Sequence, residues 1–417
     1  MRLLEQAILV AVELPEVSAK QVQANLAELG ELARTAGAEI CATFTQKRLQ
    51  PEPSTYVGEG KLQEIHLAVH TMGCDLVIFD DELTPIQHRN LEDLLGVRVV
   101  DRTQLILDIF AARAQSKEGK LQVELAQLLY LLPRLTGKGK ALSRLGGGIG
   151  TRGPGETKLE VDRRRIRQRI SALKRELAAV KVDRAAQRKL RQRRGLPLVS
   201  LVGYTNAGKS TLFNRLTQAE VLVEDKLFAT LDPTVRRVEL PSGMVVLLSD
   251  TVGFIRKLPH TLINAFHATL EEVIEADLLL HVVDAADPAA FSQIGAVKEV
   301  LEQIGAGRKK TIVVLNKIDL VPPSVLQGLQ SYLPDAVPIS AVTGQGLSKL
   351  LEVVQQEIFT RRRHLKVLIP YTQGSLVDQL HSTAQVVAEE FREEGTYLEI
   401  IIEARLADKV LQYQIQE

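Results

Sequence analysis

A glycine-rich octapeptide, GYTNAGKS, occupies residues 203–210 after the apolar run LVSLV and before the amphipathic run TLFNRL. It matches the pattern G-x-x-x-x-G-K-[S/T] in the strand–loop–helix context that this pattern requires. Glycines allow backbone N–H groups to wrap phosphates, the lysine can neutralise the β- and γ-phosphates, and the serine hydroxyl can ligate Mg²⁺. The sequence therefore predicts a nucleoside-triphosphate site at these residues: Gly203, Tyr204, Thr205, Asn206, Ala207, Gly208, Lys209, Ser210 and Thr211.

A second segment, DTVG at residues 250–253, follows the apolar residues 244–248. A carboxylate at a strand end suits an outer-shell contact to Mg²⁺, and the backbone N–H of the glycine can reach a γ-phosphate. We therefore expect this segment to face the phosphates through Asp250, Thr251, Val252 and Gly253.

A third segment, NKID at residues 316–319, follows the apolar residues 311–315. The Asp319 carboxylate can accept two hydrogen bonds, from the N1–H and the 2-amino group of guanine. Adenine lacks that donor pair, and a carboxylate left unpaired costs enough free energy to discriminate strongly against ATP. The predicted base-binding residues are Asn316, Lys317, Ile318 and Asp319.

A fourth segment, Ser340, Ala341 and Val342, follows the strand-like residues 336–339. We expect it to close over the base with backbone N–H groups. Each short segment alone is a weak signal, but all of them occur in order and each follows a predicted strand. The set predicts a site for GTP.

These four segments resemble the G1, G3, G4 and G5 motifs of translation-factor-type P-loop GTPases, and FATLDPT at residues 228–234 resembles the G2 motif. The whole chain resembles the HflX family of ribosome-associated GTPases, most specifically in FATLDPT, DTVGFI and GGIGTRGPGETKLEVDRRRI. The resemblance implies Mg²⁺-dependent GTP hydrolysis and binding to the ribosome, through the large subunit and its RNA.

The resemblance also assigns roles to single residues. Thr230 would be the switch threonine that joins Ser210 on Mg²⁺, and Thr234 is a competing candidate in the same loop. The nucleotide-binding residues implied in this loop are Phe228, Ala229, Thr230, Leu231 and Asp232. The catalytic residues implied are Lys209, Thr230, Asp250 and Gly253.

One position departs from the pattern of many GTPases, which carry a glutamine directly after D-x-x-G to orient the attacking water. Here that position is Phe254, whose side chain cannot hydrogen-bond to water. Unaided hydrolysis should therefore be slow unless a partner completes the site. Asn206 resembles the asparagine that holds K⁺ in cation-activated GTPases, and the alternative is that it only stabilises the loop turn.

Charge is distributed unevenly along the chain. The net charge is +1, yet residues 134–194 hold 20 Lys and Arg against 5 Asp and Glu, a local excess of +15 that leaves −14 elsewhere. This pattern favours a polyanionic partner, and the alternative is a solvated helix face. With two cysteines and no apolar run of about 18–20 residues, the chain carries no sign of a disulfide framework or a membrane span, so we expect a cytoplasmic protein.

The length of 417 residues and the apolar periodicity predict an α/β protein of several domains. Residues 1–102 should form a parallel α/β domain, and residues 103–194 a basic antiparallel helical hairpin whose first helix covers 103–132. A glycine-rich tip loop falls at residues 146–158. Residues 197–363 should form the GTPase domain, and residues 365–417 a small α+β module with a helix over 375–390.

Three other functions fit parts of this pattern. A GTPase coupled to tRNA modification would need a further catalytic site, which the sequence does not show. A nucleic-acid-dependent P-loop ATPase is disfavoured by the NKID segment. A scaffold with a structural nucleotide would not hydrolyse GTP repeatedly. The protein is expected to be monomeric away from the ribosome.

Overall fold

The computed structural model describes residues 4–135, 158–193, 196–217, 227–257, 259, 270–403, 407 and 410–415. The chain forms two compact units. The first comprises Met1–Leu177, Glu224–Leu231 and Lys257–Phe266. The second comprises Ala178–Val223, Asp232–Arg256 and His267–Glu417. Two short segments from the second half of the sequence therefore belong to the N-terminal unit.

A parallel sheet organises the N-terminal part of the first unit. Its strands pair in the order β2-β1-β3-β4, and every neighbouring pair is parallel. The alternation of apolar runs with amphipathic stretches predicted this arrangement, and the structure confirms it. The elements are β1 (Glu5–Glu13), α1 (Ala19–Ala36), β2 (Ala38–Lys47), α2 (Glu59–Met72), β3 (Leu76–Phe79), α3 (Pro85–Leu95) and β4 (Arg98–Asp101).

Local capping residues set where these helices begin and end. The Ser18 side chain accepts a hydrogen bond from the backbone N–H of Gln21 at the start of α1, and Thr84 forms a capping box with Gln87 at the start of α3. Gly37 ends α1 with φ 93°, a left-handed conformation that glycine adopts without a Cβ clash. These contacts satisfy backbone groups that a helix leaves unpaired at its ends.

The single helix predicted over residues 103–132 is wrong, because the structure divides this stretch into two helices. The first, α4 (Arg102–Arg113), ends where Ala114 becomes extended with ψ 111°. The second, α5 (Lys117–Arg134), begins at Ser116, whose side chain accepts a hydrogen bond from the backbone N–H of Gly119. Apolar periodicity does not mark such a break, whereas a capping serine does.

Apolar side chains of α5 and α6 (Lys158–Arg193) pack against each other, as the predicted helical hairpin requires. Beside this contact, the Arg169 guanidinium donates to both carboxylate oxygens of Glu124, at 2.6 and 2.7 Å. Residues 136–157 lie outside the described residues, so the glycine-rich tip loop stays a prediction, and so do the predicted domain boundaries. The buried side chains of the cluster are Leu121, Leu125, Ile170 and Leu173.

Six strands form the sheet of the second unit, in the order β10-β9-β8-β5-β7-β6. The strands from β10 to β7 are parallel, and β6 lies antiparallel to β7 at the edge. Leu201, Leu280 and Val314 are buried in the centre of this sheet. The elements are β5 (Leu198–Gly203), α7 (Lys209–Thr217), β6 (Thr234–Glu239), β7 (Val245–Asp250), α8 (Glu271–Glu275), β8 (Leu278–Asp284), α9 (Ala290–Gln303), β9 (Thr311–Asn316), α10 (Pro323–Tyr332), β10 (Val337–Pro338) and α11 (Leu347–Arg361).

The C-terminal residues form a three-stranded antiparallel sheet in the order β11-β13-β12. The helix predicted over residues 375–390 is wrong in its second half, because residues 385–392 form a strand. That strand pairs with its neighbour, and hairpin pairing supplies backbone hydrogen bonds that local helical spacing does not reveal. The elements are β11 (Arg362–Ile369), α12 (Gly374–Thr383), β12 (Gln385–Arg392) and β13 (Gly395–Glu403).

The described ranges contain neither a membrane-spanning helix nor a side-chain cluster for a metal ion. None of their helices is both long and apolar enough to cross a bilayer. Their His, Cys, Asp and Glu side chains form no group of three or more that can hold an ion. Cys41 and Cys74 are free thiols.

The contact between α5 and α6 predicts the effect of truncating Leu173, which is fully buried. Leu173→Ala should lower the free energy of unfolding by about 2–5 kcal/mol, because it removes buried methyl groups and leaves a cavity. Urea unfolding followed by far-UV circular dichroism measures this change. Leu67→Ala is the control, since Leu67 is 68% exposed on α2. Equal losses in the two variants would contradict the packing of α6 described above.

Candidate nucleotide-binding site

The carboxyl ends of the parallel strands bring the predicted segments to one edge of the sheet in the second unit. β5 ends at Gly203, β7 at Asp250 and β9 at Asn316. Ser340 follows β10 at the same edge. Open parallel sheets bind their ligands outside this edge, where loops and helix N-termini converge. The fold therefore collects residues that are up to 137 positions apart in the sequence.

The loop after β5 encloses the side chain of Lys209. Lys209 is 6% exposed, and its Nζ donates to the backbone carbonyls of Gly203 and Tyr204, at 3.1 and 2.8 Å. Gly208 has φ 90°, and a Cβ at this position would lie 2.3 Å from the Asn316 Nδ2 atom. Both the backbone conformation and the available space therefore require glycine next to the lysine.

The buried environment of Lys209 favours the binding of an anion beside it. Burial lowers the pKa of Lys209 to about 8, and the Asp250 carboxylate acts weakly in the opposite direction. Taking an ammonium group out of water disfavours its charged form unless an opposite charge is close by. A phosphate group would supply that charge, so nucleotide binding should raise the pKa again.

Two oxygen-bearing side chains meet at the start of α7 and the end of β7. The Ser210 hydroxyl donates to Oδ2 of Asp250 at 2.8 Å, and Asp250 is fully buried. Hydroxyl and carboxylate oxygens are the hard ligands that Mg²⁺ prefers, and Mg²⁺ sites beside phosphates use one or two such groups. The donor set of this pair therefore fits Mg²⁺.

The hydroxyl of Thr251 donates to the backbone carbonyl of Leu201 at 2.6 Å, and Thr251 is fully buried. Val252 is buried as well. The structure therefore gives these two side chains of the DTVG segment a role in attaching the end of β7 to the sheet.

Asn316 connects two of the predicted loops. Its Nδ2 donates to the carbonyl of Ala207 at 2.9 Å, and its Oδ1 accepts the backbone N–H of Ala341 at 3.0 Å. The side chain is almost completely buried. A single amide therefore fixes the loop after β5 relative to the loop after β10.

Asp319 lies in a short 3₁₀ turn, and its side chain is exposed. An exposed carboxylate is accessible to a guanine base. Ile318 is half-buried beside it. Lys317 has φ 63°, and its Nζ lies 2.7 Å from Oδ2 of Asp284. Asp284 was not among the predicted site residues. Its position at the end of a predicted strand, like that of the other motifs, is the feature that could have indicated it.

Two of the backbone amides that were predicted to cover the base, in the loop after β10, already donate to other groups of the protein. The Ser340 N–H donates to the Gln345 carbonyl at 3.0 Å, and the Ala341 N–H donates to Asn316. Val342 is 71% exposed. Closure of this loop over guanine stays a prediction.

Phe254 is attached to the phosphate-binding loop through its backbone. Its N–H donates to the Gly203 carbonyl at 3.0 Å, and its carbonyl accepts the N–H of Thr205 at 2.8 Å. A Cβ on Gly253 would lie 2.9 Å from Thr205 Cα and 3.1 Å from Lys209 Nζ, so the segment passes directly against that loop. The Phe254 side chain is 2% exposed, and neither its burial nor its chemistry allows it to orient water.

The residues predicted from the G2-like segment divide between the two units. Phe228 and Leu231 are buried within the first unit, and Ala229 and Thr230 are half-buried there. Asp232 and Thr234 belong to the second unit, and Thr234 starts β6. The assignment of Thr230 to Mg²⁺ stays a prediction from the resemblance.

Two further polar residues have structural explanations. His281 is buried in β8, and burial together with the nearby charges of Lys209 and Lys298 lowers its pKa to about 4. It is therefore a neutral core residue at physiological pH. Asn206 is exposed with φ 62°, a left-handed conformation that asparagine tolerates better than most residues.

A parallel sheet with a phosphate-binding loop after β5, a carboxylate after β7 and an NKID segment after β9 defines a P-loop GTPase. Three family descriptions match consecutive parts of the chain. They are "GTP-binding GTPase N-terminal" over residues 23–111, "GTP-binding GTPase Middle Region" over residues 113–191 and "50S ribosome-binding GTPase" over residues 198–317.

The chain is 51% identical over 411 residues to the GTPase HflX of Caldanaerobacter subterraneus subspecies tengcongensis, covering 99% of this chain and 94% of that protein. It is 45% identical over 395 residues to the GTPase HflX of Escherichia coli strain K12, covering 94% and 92%. The chain belongs to the HflX family of GTPases and is a GTP hydrolase. The family excludes the ATPase and scaffold alternatives.

A solved structure is also similar to this chain. It is a GTP-binding protein of the hyperthermophilic archaeon Sulfolobus solfataricus in complex with GDP, with 27% identity and a TM-score of 0.43. The match covers 85% of this chain and 98% of that one.

The lowered pKa of Lys209 predicts that GDP affinity falls as the pH rises above about 8. Below that pH the lysine is already protonated, so binding takes up no proton. Above it, binding must protonate the lysine, and Kd should rise by up to tenfold per pH unit. Isothermal titration calorimetry at pH values between about 7 and 9, in two buffers of different ionisation enthalpy, measures both the affinity and the proton uptake.

Lys209→Met is the control for this experiment. It removes the lysine titration but keeps any titration of the guanine base, so its residual affinity should lose the proton uptake. A wild-type protein whose binding takes up no proton at pH values near 9 would contradict the assignment of Lys209 to the phosphates.

Proposed function

We propose that this GTPase binds the large ribosomal subunit and that its nucleotide state controls the binding. The observation that carries the proposal is the distribution of charge on α6. Residues 163–194 hold 14 Lys and Arg against 2 Asp and Glu. The apolar side of the helix is occupied by α5, while Arg164, Arg165 and Arg167 are exposed.

Such a helix is unfavourable without a partner. Like charges three or four positions apart on a helix repel one another, and the repulsion persists until counter-charges neutralise them. In the described part of the helix, Arg165 lies 3.9 Å from Asp162, and Arg169 pairs with Glu124 and lies 3.6 Å from Glu176. A structural role alone does not favour this excess of charge, whereas a polyanion does.

RNA of the ribosome is the polyanion that the family supports. One of the matched families is described as a 50S ribosome-binding GTPase. Phosphate contacts contribute affinity with little sequence information, which suits the shaped surface of a folded RNA better than a DNA operator. The proposed place of action is the cytoplasm, where ribosomes are found.

The second part of the proposal is that Mg²⁺ accompanies GTP. Ser210 and Asp250 would hold it, with Thr230 as the additional ligand that the family resemblance implies. When bound, the ion would neutralise charge that develops on the phosphate oxygens. A K⁺ ion at Asn206 is a further part of this proposal, and its alternative is that Asn206 only stabilises the turn, which its left-handed conformation also fits.

The chain itself contributes positioning and electrostatics to hydrolysis. Lys209, held beneath the phosphate-binding loop, would neutralise the β- and γ-phosphates, and the backbone N–H of Gly253 would contact the γ-phosphate. Phe254 leaves the attacking water without a protein partner at the position where many GTPases use glutamine. Hydrolysis should therefore be slow in the free protein and faster on the ribosome.

The base-reading assignment predicts the behaviour of Asp319→Asn. The asparagine presents one acceptor and one donor where guanine needs two acceptors, so GTP affinity should fall by about 2–4 kcal/mol. Competition between GTP and ATP for binding to the variant and to wild type measures both affinity and selectivity. A variant that binds GTP as tightly as wild type and still excludes ATP would show that another residue reads the base.

The charge on α6 predicts the behaviour of the triple variant Arg163→Glu, Arg164→Glu and Arg165→Glu. It should lower affinity for the large subunit and flatten the dependence of binding on salt, because fewer counterions are released. Nucleotide affinity should stay unchanged. Co-sedimentation with separated subunits over a salt series, with GDP and with a non-hydrolysable GTP analogue, measures these effects.

The control makes the same change in net charge elsewhere in the first unit. Arg34, Lys47 and Arg89 are 59%, 79% and 56% exposed, and their reversal to glutamate should leave ribosome binding close to wild type. If both triple variants bind equally, the arginines of α6 form a solvated face and the RNA-binding role of this helix is wrong.

A further inference from the structure

Two segments that border the nucleotide motifs lie in the first unit. Their described residues include 227–231, which overlap the FATLDPT segment, and Lys257, which follows the DTVGFIR stretch. In GTPases such segments change conformation with the γ-phosphate. The described residues of both segments have specific partners in the first unit.

Lys257 binds a pair of carboxylates at the end of β3. Its Nζ lies 2.6 Å from Oδ2 of Asp80 and 2.5 Å from Oδ1 of Asp81. Burial disfavours the charged form of the lysine, but the two carboxylates outweigh that effect and raise the pKa of Lys257 above its ordinary value. The lysine is therefore positively charged at physiological pH, and the contact is a pair of ionic hydrogen bonds.

The acidic pair is fixed by other side chains of the first unit. Asp80 is 1% exposed and accepts a hydrogen bond from Nη1 of Arg102 at 2.9 Å, and Arg102 is itself buried. Asp81 accepts a hydrogen bond from the Tyr56 hydroxyl. The two carboxylates that bind Lys257 are thus held in place by Arg102 and Tyr56, which lie in different parts of the first unit.

Phe228 gives the second segment an apolar attachment. Its ring packs edge-on against the ring of Phe110 on α4, with centroids 4.7 Å apart and an interplanar angle of 77°. Both phenylalanines are 2% exposed. Leu231 is buried to the same extent. The segment that carries Thr230 is therefore flanked by two buried side chains.

Residues in these contacts have strained backbone conformations. Among the described residues, five that are not glycine have positive φ. Two of them, Asn206 and Lys317, belong to the nucleotide site. The other three are Tyr56 at 64°, Phe228 at 57° and Lys257 at 51°, all of them within the contacts described above. Such conformations persist only where surrounding contacts enforce them, and they concentrate at functional and switching sites.

The chain between the nucleotide motif and Lys257 is short. In the second unit, the backbone N–H of Arg256 donates to the Tyr204 hydroxyl at 2.9 Å. Only three residues separate Gly253 from Lys257, and each residue spans at most about 3.3–3.6 Å. A displacement of Gly253 toward a γ-phosphate is therefore passed along a short covalent connection to Lys257 and its contact with the acidic pair.

We propose that Lys257 and Phe228 are positioning residues that couple the nucleotide state to the first unit. The Asp80–Asp81 pair holds Lys257, and Phe110 holds Phe228, in a strained resting arrangement that opposes rearrangement of the segments around the γ-phosphate. Binding of the γ-phosphate and release of these two contacts both favour the conformation in which the segments have rearranged around the γ-phosphate. By linkage, each process promotes the other.

The first test compares hydrolysis by wild type, Lys257→Met and Lys257→Arg without ribosomes. Lys257→Met removes the ionic contacts, so kcat should rise by about threefold to tenfold while KM for GTP stays within about twofold, as expected for loss of one partly exposed charged contact. Lys257→Arg keeps the charge and should remain close to wild type. The control is Lys61→Met, which removes a lysine–glutamate pair on α2 of the same unit and should change neither constant.

The second test uses the absence of tryptophan from the chain. Phe110→Trp introduces a single fluorophore against Phe228, and its emission should differ between GDP and a non-hydrolysable GTP analogue. Adding Lys257→Met should shrink that difference, because the segments no longer move together with the first unit. Asp81→Asn, which weakens the same contact from the other side, should act in the same direction.

A folded Lys257→Met variant with an unchanged or lowered kcat overturns the proposal, as does a tryptophan signal that is identical in the two nucleotide states. If Lys257→Met fails to fold, as judged by its melting temperature, Asp81→Asn decides the question through the same two measurements. Neither test contains ribosomes, so its outcome is independent of the proposed ribosome binding.

Discussion

Parallel pairing of β5, β7, β8, β9 and β10 is the constraint on which the nucleotide site depends. Because these strands run in one direction, the residues that follow them meet at one edge although they are far apart in the chain. Asn316 then joins the loops after β5 and β10 through two hydrogen bonds of one buried amide. The meeting of the loops after β5, β7, β9 and β10 at one edge follows from this sheet rather than from the local sequence of each loop.

Within that frame, burial determines the chemistry of the polar groups. Lys209 is taken out of water and donates to two backbone carbonyls, so its charge is available to an incoming phosphate. Asp250 is equally buried, but the Ser210 hydroxyl lies against it and supplies an oxygen pair for an ion. Phe254 is buried as well, but its ring is apolar and cannot orient the attacking water, so another group must do so.

The sequence was sufficient to predict the parts of the fold whose signals are local. The apolar runs located the parallel strands, and the glycine, lysine and acidic motifs fell at their ends. Contacts between distant residues were not predictable in this way. The sequence near residue 385 does not indicate that β12 pairs with β13, and the sequence near Lys257 does not indicate that Asp80 lies beside it. Those outcomes depend on tertiary pairing, which overrides local propensity.

The double use of the Asp80 carboxylate has a consequence for how this protein can diverge. One of its oxygens binds Arg102 and the other binds Lys257. Losing Lys257 leaves a carboxylate that still has a buried guanidinium as its partner. Losing Asp80 removes one of the two carboxylates, those of Asp80 and Glu28, that pair with the buried Arg102 guanidinium, and a buried charge that loses a partner costs more than a charge at the surface. Replacing Lys257 should therefore cost less folding stability than replacing Asp80, and Asp80 and Arg102 should be inherited, or exchanged, together.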